Sequence, residues 1–225
     1  MQRSRSTLPT LITVLVIAVL ASCTPTSVPS GSDNESSTPT QTATPTPTPT
    51  APPPVEELVL TTEGLGTLVI GDAPAVDLPD SMVVPDPSAC VSEGSGIAEG
   101  SPEAARWRAN YPGETPPFGV AIGEDGVLTR IDLFTSDIPT DSGLHRDGSI
   151  DDLIASNPDS ATPALTGQVT AVWVIPGVQG KLLVEAMTED YSDFVAGQIV
   201  AITLVEADAP PFGKYGSGNV AGGCY

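Results

Sequence analysis

The stretch Val169-Thr170-Ala171-Val172-Trp173-Val174-Ile175-Pro176-Gly177-Val178-Gln179-Gly180-Lys181-Leu182-Leu183-Val184-Glu185-Ala186-Met187 decides the reading of this chain. Two apolar runs, 168–175 and 181–187, flank a loop carrying Pro176, Gly177 and Gly180, the pattern of a β-hairpin with a longer connection. Alternation is poor between Val169 and Val174, so that strand is expected to be buried on both faces. Residues 118–122 and 127–134 repeat the pattern about Gly123-Glu124-Asp125-Gly126. Further strands are predicted at 55–60, 65–70 and 199–207.

Working outward, the chain resembles itself. Thr61-Thr62-Glu63-Gly64-Leu65-Gly66 leads to Gly71-Asp72-Ala73-Pro74-Ala75-Val76-Asp77-Leu78, and Pro139-Thr140-Asp141-Ser142-Gly143-Leu144 leads to Asp147-Gly148-Ser149-Ile150-Asp151-Asp152-Leu153. Likewise Gly126-Val127-Leu128-Thr129-Arg130-Ile131-Asp132-Leu133 parallels Gly197-Gln198-Ile199-Val200-Ala201-Ile202-Thr203-Leu204. A spacing of about 75 residues is too long for a solenoid unit and suits two fused modules.

One helix start is legible. Ser149 is an N-cap with Asp151 and Asp152 in the first turn, where acids complement the helix dipole. Asn157-Pro158 ends that helix, because a residue before proline leaves the α region. Asp72 with Pro74 predicts a shorter turn. Ser101-Pro102-Glu103-Ala104-Ala105-Arg106-Trp107-Arg108 predicts a second helix, stopped by Pro112-Gly113. The expected fold is therefore α+β, with two similar modules at 55–135 and 136–207, each packing short helices on an antiparallel sheet. A tail follows at 208–225.

The Thr-acid-Gly-Leu opening and the order of elements across 58–206 resemble the tandem modules of β-lactamase-inhibitor-protein-like and related small envelope-lipoprotein folds. That resemblance implies short helices on a sheet and action by binding other proteins.

The N-terminus reads as an address. Arg3 and Arg5 precede an apolar run from Leu11 to Ala21, which is too short to span a bilayer and has the size of a signal-peptide core. The run ends in Leu20-Ala21-Ser22-Cys23, which resembles the lipobox of bacterial lipoproteins. In that family the cysteine thiol receives diacylglycerol and the signal is cleaved before it. The resemblance implies a signal peptide at 1–22, lipidation at Cys23 and a protein anchored on the extracytoplasmic face of the cell membrane. From Thr24 to Pro54, 23 of 31 residues are Thr, Pro or Ser. Such a segment buries too little to offset its ordering entropy, and it favours extended polyproline II. It is expected to be a disordered tether reaching about 90 Å when extended, either bare or O-glycosylated.

Charge narrows the partners. Losing Arg3 and Arg5 from 8 basic residues leaves six against 28 acidic ones. That balance excludes nucleic acid, whose binding needs a basic footprint. With Cys23 lipidated, Cys90 and Cys224 are an even pair outside the cytoplasm and are expected to form a disulfide. Free thiols or an intermolecular bridge are the alternatives.

Catalytic motifs are absent. His145 is the only histidine, which removes zinc sites built on paired histidines, and no Gly-x-Ser-x-Gly elbow occurs. Gly216-Ser217-Gly218-Asn219-Val220-Ala221 fits a dinucleotide fingerprint in letters but not in context. Asp137, Asp141, Asp147, Asp151 and Asp152 crowd one stretch without calcium-loop spacing, and no metal or cofactor is expected. Arg106, Trp107, Arg108 and Tyr111 form the densest basic-aromatic group and are the expected interface, aromatics and Arg being favoured at interface centres. Trp107 as a core residue of the short helix is the competing reading. The function expected is a lipid-anchored envelope protein whose domain binds a protein or cell-wall ligand without catalysis. The alternative is an envelope hydrolase using a carboxylate pair.

Overall fold

A computed structural model describes residues 51–225, apart from Glu103, Gly216, Gly218 and Tyr225. The expected signal at 1–22, Cys23 and the tether up to residue 50 lie outside the described residues.

The described chain is mostly β. A hairpin of β1 (Gly64–Leu65) and β2 (Leu68–Val69) stands beside a larger sheet. That sheet contains β3 (Val83–Asp86), β4 (Arg106–Ala109), β5 (Phe118–Ile122) and β6 (Leu128–Leu133). It continues with β7 (Leu165–Thr166), β8 (Thr170–Pro176), β9 (Gly180–Met187) and β10 (Ile199–Glu206). The order is β3-β4-β5-β6-β10-β9-β8-β7, eight strands, all antiparallel. Each half is an up-and-down meander, and the two meet along their last strands. Edge pairing is limited by Pro85 in β3 and by the two-residue length of β7.

Along the seam Thr203 pairs with Asp132, Leu204 with Ile131 and Val205 with Arg130. Asp132 and Thr203 hold the same place in the two similar stretches, so the seam runs through equivalent residues. Gly126 and Gly197, which open those stretches, both take φ of 83°. The two Thr-acid-Gly-Leu turns lie side by side: the Leu60 amide donates to Pro139 O at 2.9 Å and the Asp141 amide to Leu60 O at 3.0 Å.

The two-module α+β expectation is corrected here. Only one short α-helix forms among the described residues, α1 (Ile150–Ser156). It starts and stops where expected: the Asp151 amide donates to Ser149 Oγ at 3.1 Å, and Asn157 is its C-cap. The helix expected at 101–108 is a correction too, since Arg106–Ala109 pairs with β3 instead. Its pattern has period 2: Trp107 and Ala109 pack on the core, and Arg106 and Arg108 alternate with them. Neither Asp72-Pro74 nor Ser101-Pro102 is followed by an apolar stripe with helical spacing, so a helix there has nothing to bury.

Loops, the β1–β2 hairpin and α1 do the work expected of several helices. One sheet face carries Phe118, Val120, Ile131, Leu133, Ala171, Trp173, Leu182, Val184, Ile202 and Leu204. Leu58, Leu60, Leu65, Leu68, Ile70 and Met82 cover it from the first half, and Ile138, Leu144, Ile150 and Leu153 from the second. The other face has a smaller apolar group, Val172, Leu183 and Val205, against which Ala209 and Phe212 of the C-terminal segment pack. Thr170 to Trp173 are consequently buried on both faces.

Candidate functional site

The expected basic-aromatic interface is not one surface. Arg106 Nε donates to Gly223 O at 2.9 Å, and Arg108 pairs with Asp86 at 3.0 Å. Trp107 is half-buried against the main core, from the strand rather than from a helix. Tyr111 lies beyond β4 and packs, like Trp107, against the main core, its hydroxyl donating to Pro53 O at 3.0 Å. Strand alternation separates residues that a helix would have gathered.

The second sheet face holds two buried carboxylates that the sequence reading passed over. Asp132 is fully buried. Its Oδ1 accepts from Arg130 Nε at 3.0 Å and Thr203 Oγ1 at 2.8 Å. Its Oδ2 accepts from Arg130 Nη2 at 2.7 Å, Lys214 Nζ at 2.9 Å and the Ala221 amide at 2.7 Å. Burial alone raises the Asp132 pKa, but Lys214, Arg130 and the Ala221 amide outweigh it and hold the pKa below the usual carboxylate value. Burial lowers the Lys214 pKa, with Asp132 opposing and Arg130 and Arg146 adding to the shift. Glu185 accepts from Thr170 Oγ1 at 2.6 Å and from the Lys214 and Tyr215 amides at 2.6 and 3.0 Å.

These carboxylates hold the C-terminal segment as a strap. Arg130 adds bonds to Asn219 O at 2.7 Å and Asn219 Oδ1 at 3.1 Å and stacks on Phe212, 4.7 Å from its centroid. A disulfide joins Cys224 to Cys90, with Cα atoms 5.4 Å apart. Gly119 lets the strap approach, because a Cβ there would collide with the Ala221 carbonyl and the Phe134 ring. The signal for Asp132 and Glu185 was the one acid in its strand, set between apolar neighbours in Ile131-Asp132-Leu133 and Val184-Glu185-Ala186. Five donors on one carboxylate and three on the other leave neither free to move a proton to a substrate.

A large cavity lies elsewhere, at the N-terminal end of the described residues. It encloses about 660 Å³ and is lined by Pro54, Val55, Tyr111, Pro112, Pro116, Pro117 and Phe134, with Glu56, Asp137 and Asp147 also on its wall. That volume is in the range of small-ligand sites. The Tyr111 ring is fixed edge-on to Phe118, centroids 5.7 Å apart, and burial raises its hydroxyl pKa. Pro54 has φ −60° and ψ 151°, a polyproline-II conformation.

His145 is exposed, with Nδ1 at 2.9 Å from Ser136 O. Among the described residues no group of three His, Cys, Asp or Glu side chains is placed to hold a metal ion. Fold and site together define a disulfide-latched antiparallel β domain with a buried ionic seam on one face and an open cavity beside Pro54. No protein-family model, curated protein or solved structure matches the chain.

Proposed function

We propose that this protein is a lipid-anchored envelope protein, carried on Cys23 at the extracytoplasmic face, whose β domain binds a ligand without catalysing a reaction. The observation that carries this reading is the use of the cysteines. Of three, Cys90 and Cys224 bond to each other, a pairing that suits an oxidising compartment. The remaining one is Cys23, in Leu20-Ala21-Ser22-Cys23. The acyl chains serve as the anchor in this reading, two chains sufficing for stable attachment.

The binding part of the reading rests on the cavity beside Pro54. It is open and largely apolar, while the buried carboxylates are occupied in holding the strap. Metabolic labelling with an alkyne fatty acid tests the anchor: the wild type takes label and Cys23→Ala does not. Label persisting in Cys23→Ala would refute the assignment.

A further inference from the structure

We infer that the cavity beside Pro54 is a site for an organic cation with an apolar body. This rests on the binding reading above and adds the charge of the ligand. Every charged side chain on the cavity wall is acidic: Glu56, Asp137 and Asp147. All three are exposed at its edge. None belongs to an ion pair among the described residues. Among the described residues, Asp137 accepts only a hydroxyl bond from Thr135, and Asp147 only a 3.4 Å contact from the Gln198 amide.

Arg146, the sequence neighbour of Asp147, is directed away, and His145 places Nδ1 2.9 Å from Ser136 O without lining the cavity. Arg146 donates to the Phe134 and Val200 carbonyls and lines a separate, smaller cavity with Lys214 and Tyr215. Lys214 is engaged with Asp132. The large cavity therefore offers uncompensated negative charge above an apolar floor of Val55, four prolines and the Tyr111 ring. An ammonium or guanidinium gains from both, by Coulomb attraction to the carboxylates and by contact with an aromatic face. An anion is repelled, and a neutral ligand gains only from the floor.

The test uses residues 23–225 with Cys23→Ser, which keeps the whole mature chain without micelles. Three probes share one apolar body: 2-phenylethylamine, 2-phenylethanol and phenylacetate, added at pH 7 and low salt. Binding is read from backbone amide shifts of Thr115, Thr135 and Ser136. The expected order is amine, then alcohol, then phenylacetate. The triple variant E56Q/D137N/D147N is expected to weaken the amine about tenfold and leave the alcohol unchanged. Asn at 147 tolerates the left-handed φ of 68° found there. If the three probes bind alike, or the triple variant leaves the amine unaffected, the cation inference is overturned and the binding reading stands. If no probe shifts the cavity amides, the binding reading itself falls.

Discussion

Asp132 and Thr203 face each other across the seam between the two meanders, and Thr203 Oγ1 donates to Asp132 Oδ1 at 2.8 Å. The bond joins the last strand of each half and takes one of five donors to a carboxylate with no solvent exposure. The same carboxylate receives the strap through Lys214 and Ala221. One side chain thus ties together both halves of the sheet and the C-terminal segment.

Replacing Asp132 with Asn leaves Arg130 and Lys214 buried without their counter-charge. Breaking a buried ionic group on one side costs about 3–5 kcal/mol. Urea denaturation of Asp132→Asn is expected to show a loss of that size. A loss below about 1 kcal/mol would mean that water or Glu185 takes over the cations.

Acid acts through the same group. The native Asp132 pKa lies below its unfolded value, so its contribution is present above about pH 4 and is lost as pH falls through the lower native pKa. Thermal melts of the wild type are expected to fall steeply below about pH 4. Those of Asp132→Asn are expected to depend less on pH across that window.

The disulfide closes a loop across 134 positions, which the chain-entropy account values at about 5 kcal/mol. Cys224→Ser is expected to lower stability and free the end of the strap. Limited trypsin digestion checks this directly, because Lys214 is held at Asp132 in the latched protein. Faster cleavage after Lys214 is expected in the variant, and an unchanged rate would show that the ionic contacts hold the strap alone.

Gly119→Ala places a methyl group against the Ala221 carbonyl and the Phe134 ring. Overpacking of this kind costs about 1–3 kcal/mol. Hydrogen exchange is expected to rise at the Ala221 amide, which donates to Asp132, more than in β9.

Much of the sheet was legible because the strands carry their own punctuation. Pro176-Gly177 and Gly123-Glu124-Asp125-Gly126 marked the hairpins, and Ser149 with Asn157-Pro158 bounded the helix. Strands β3 and β4 were not legible: Val83-Val84-Pro85-Asp86 is short and holds a proline, and Arg106-Trp107-Arg108-Ala109 follows a proline that suggested a helix. Tertiary pairing overrode that local preference. The seam was hidden for a different reason. A buried carboxylate needs donors from residues 130, 203, 214 and 221, and no spacing rule in a sequence brings those together. The cavity was half visible through Tyr111, but its acidic wall joins Asp137 and Asp147 of the β6–α1 connection to Glu56, some eighty residues earlier in the chain.

The mass of the intact protein purified from native envelopes tests the central claim most directly. The account predicts residues 23–225, two hydrogens lighter for the Cys90–Cys224 bond and heavier by a diacylglyceryl group localised to Cys23. A chain that retains residues 1–22, or one whose Cys23 is an unmodified thiol, would contradict it.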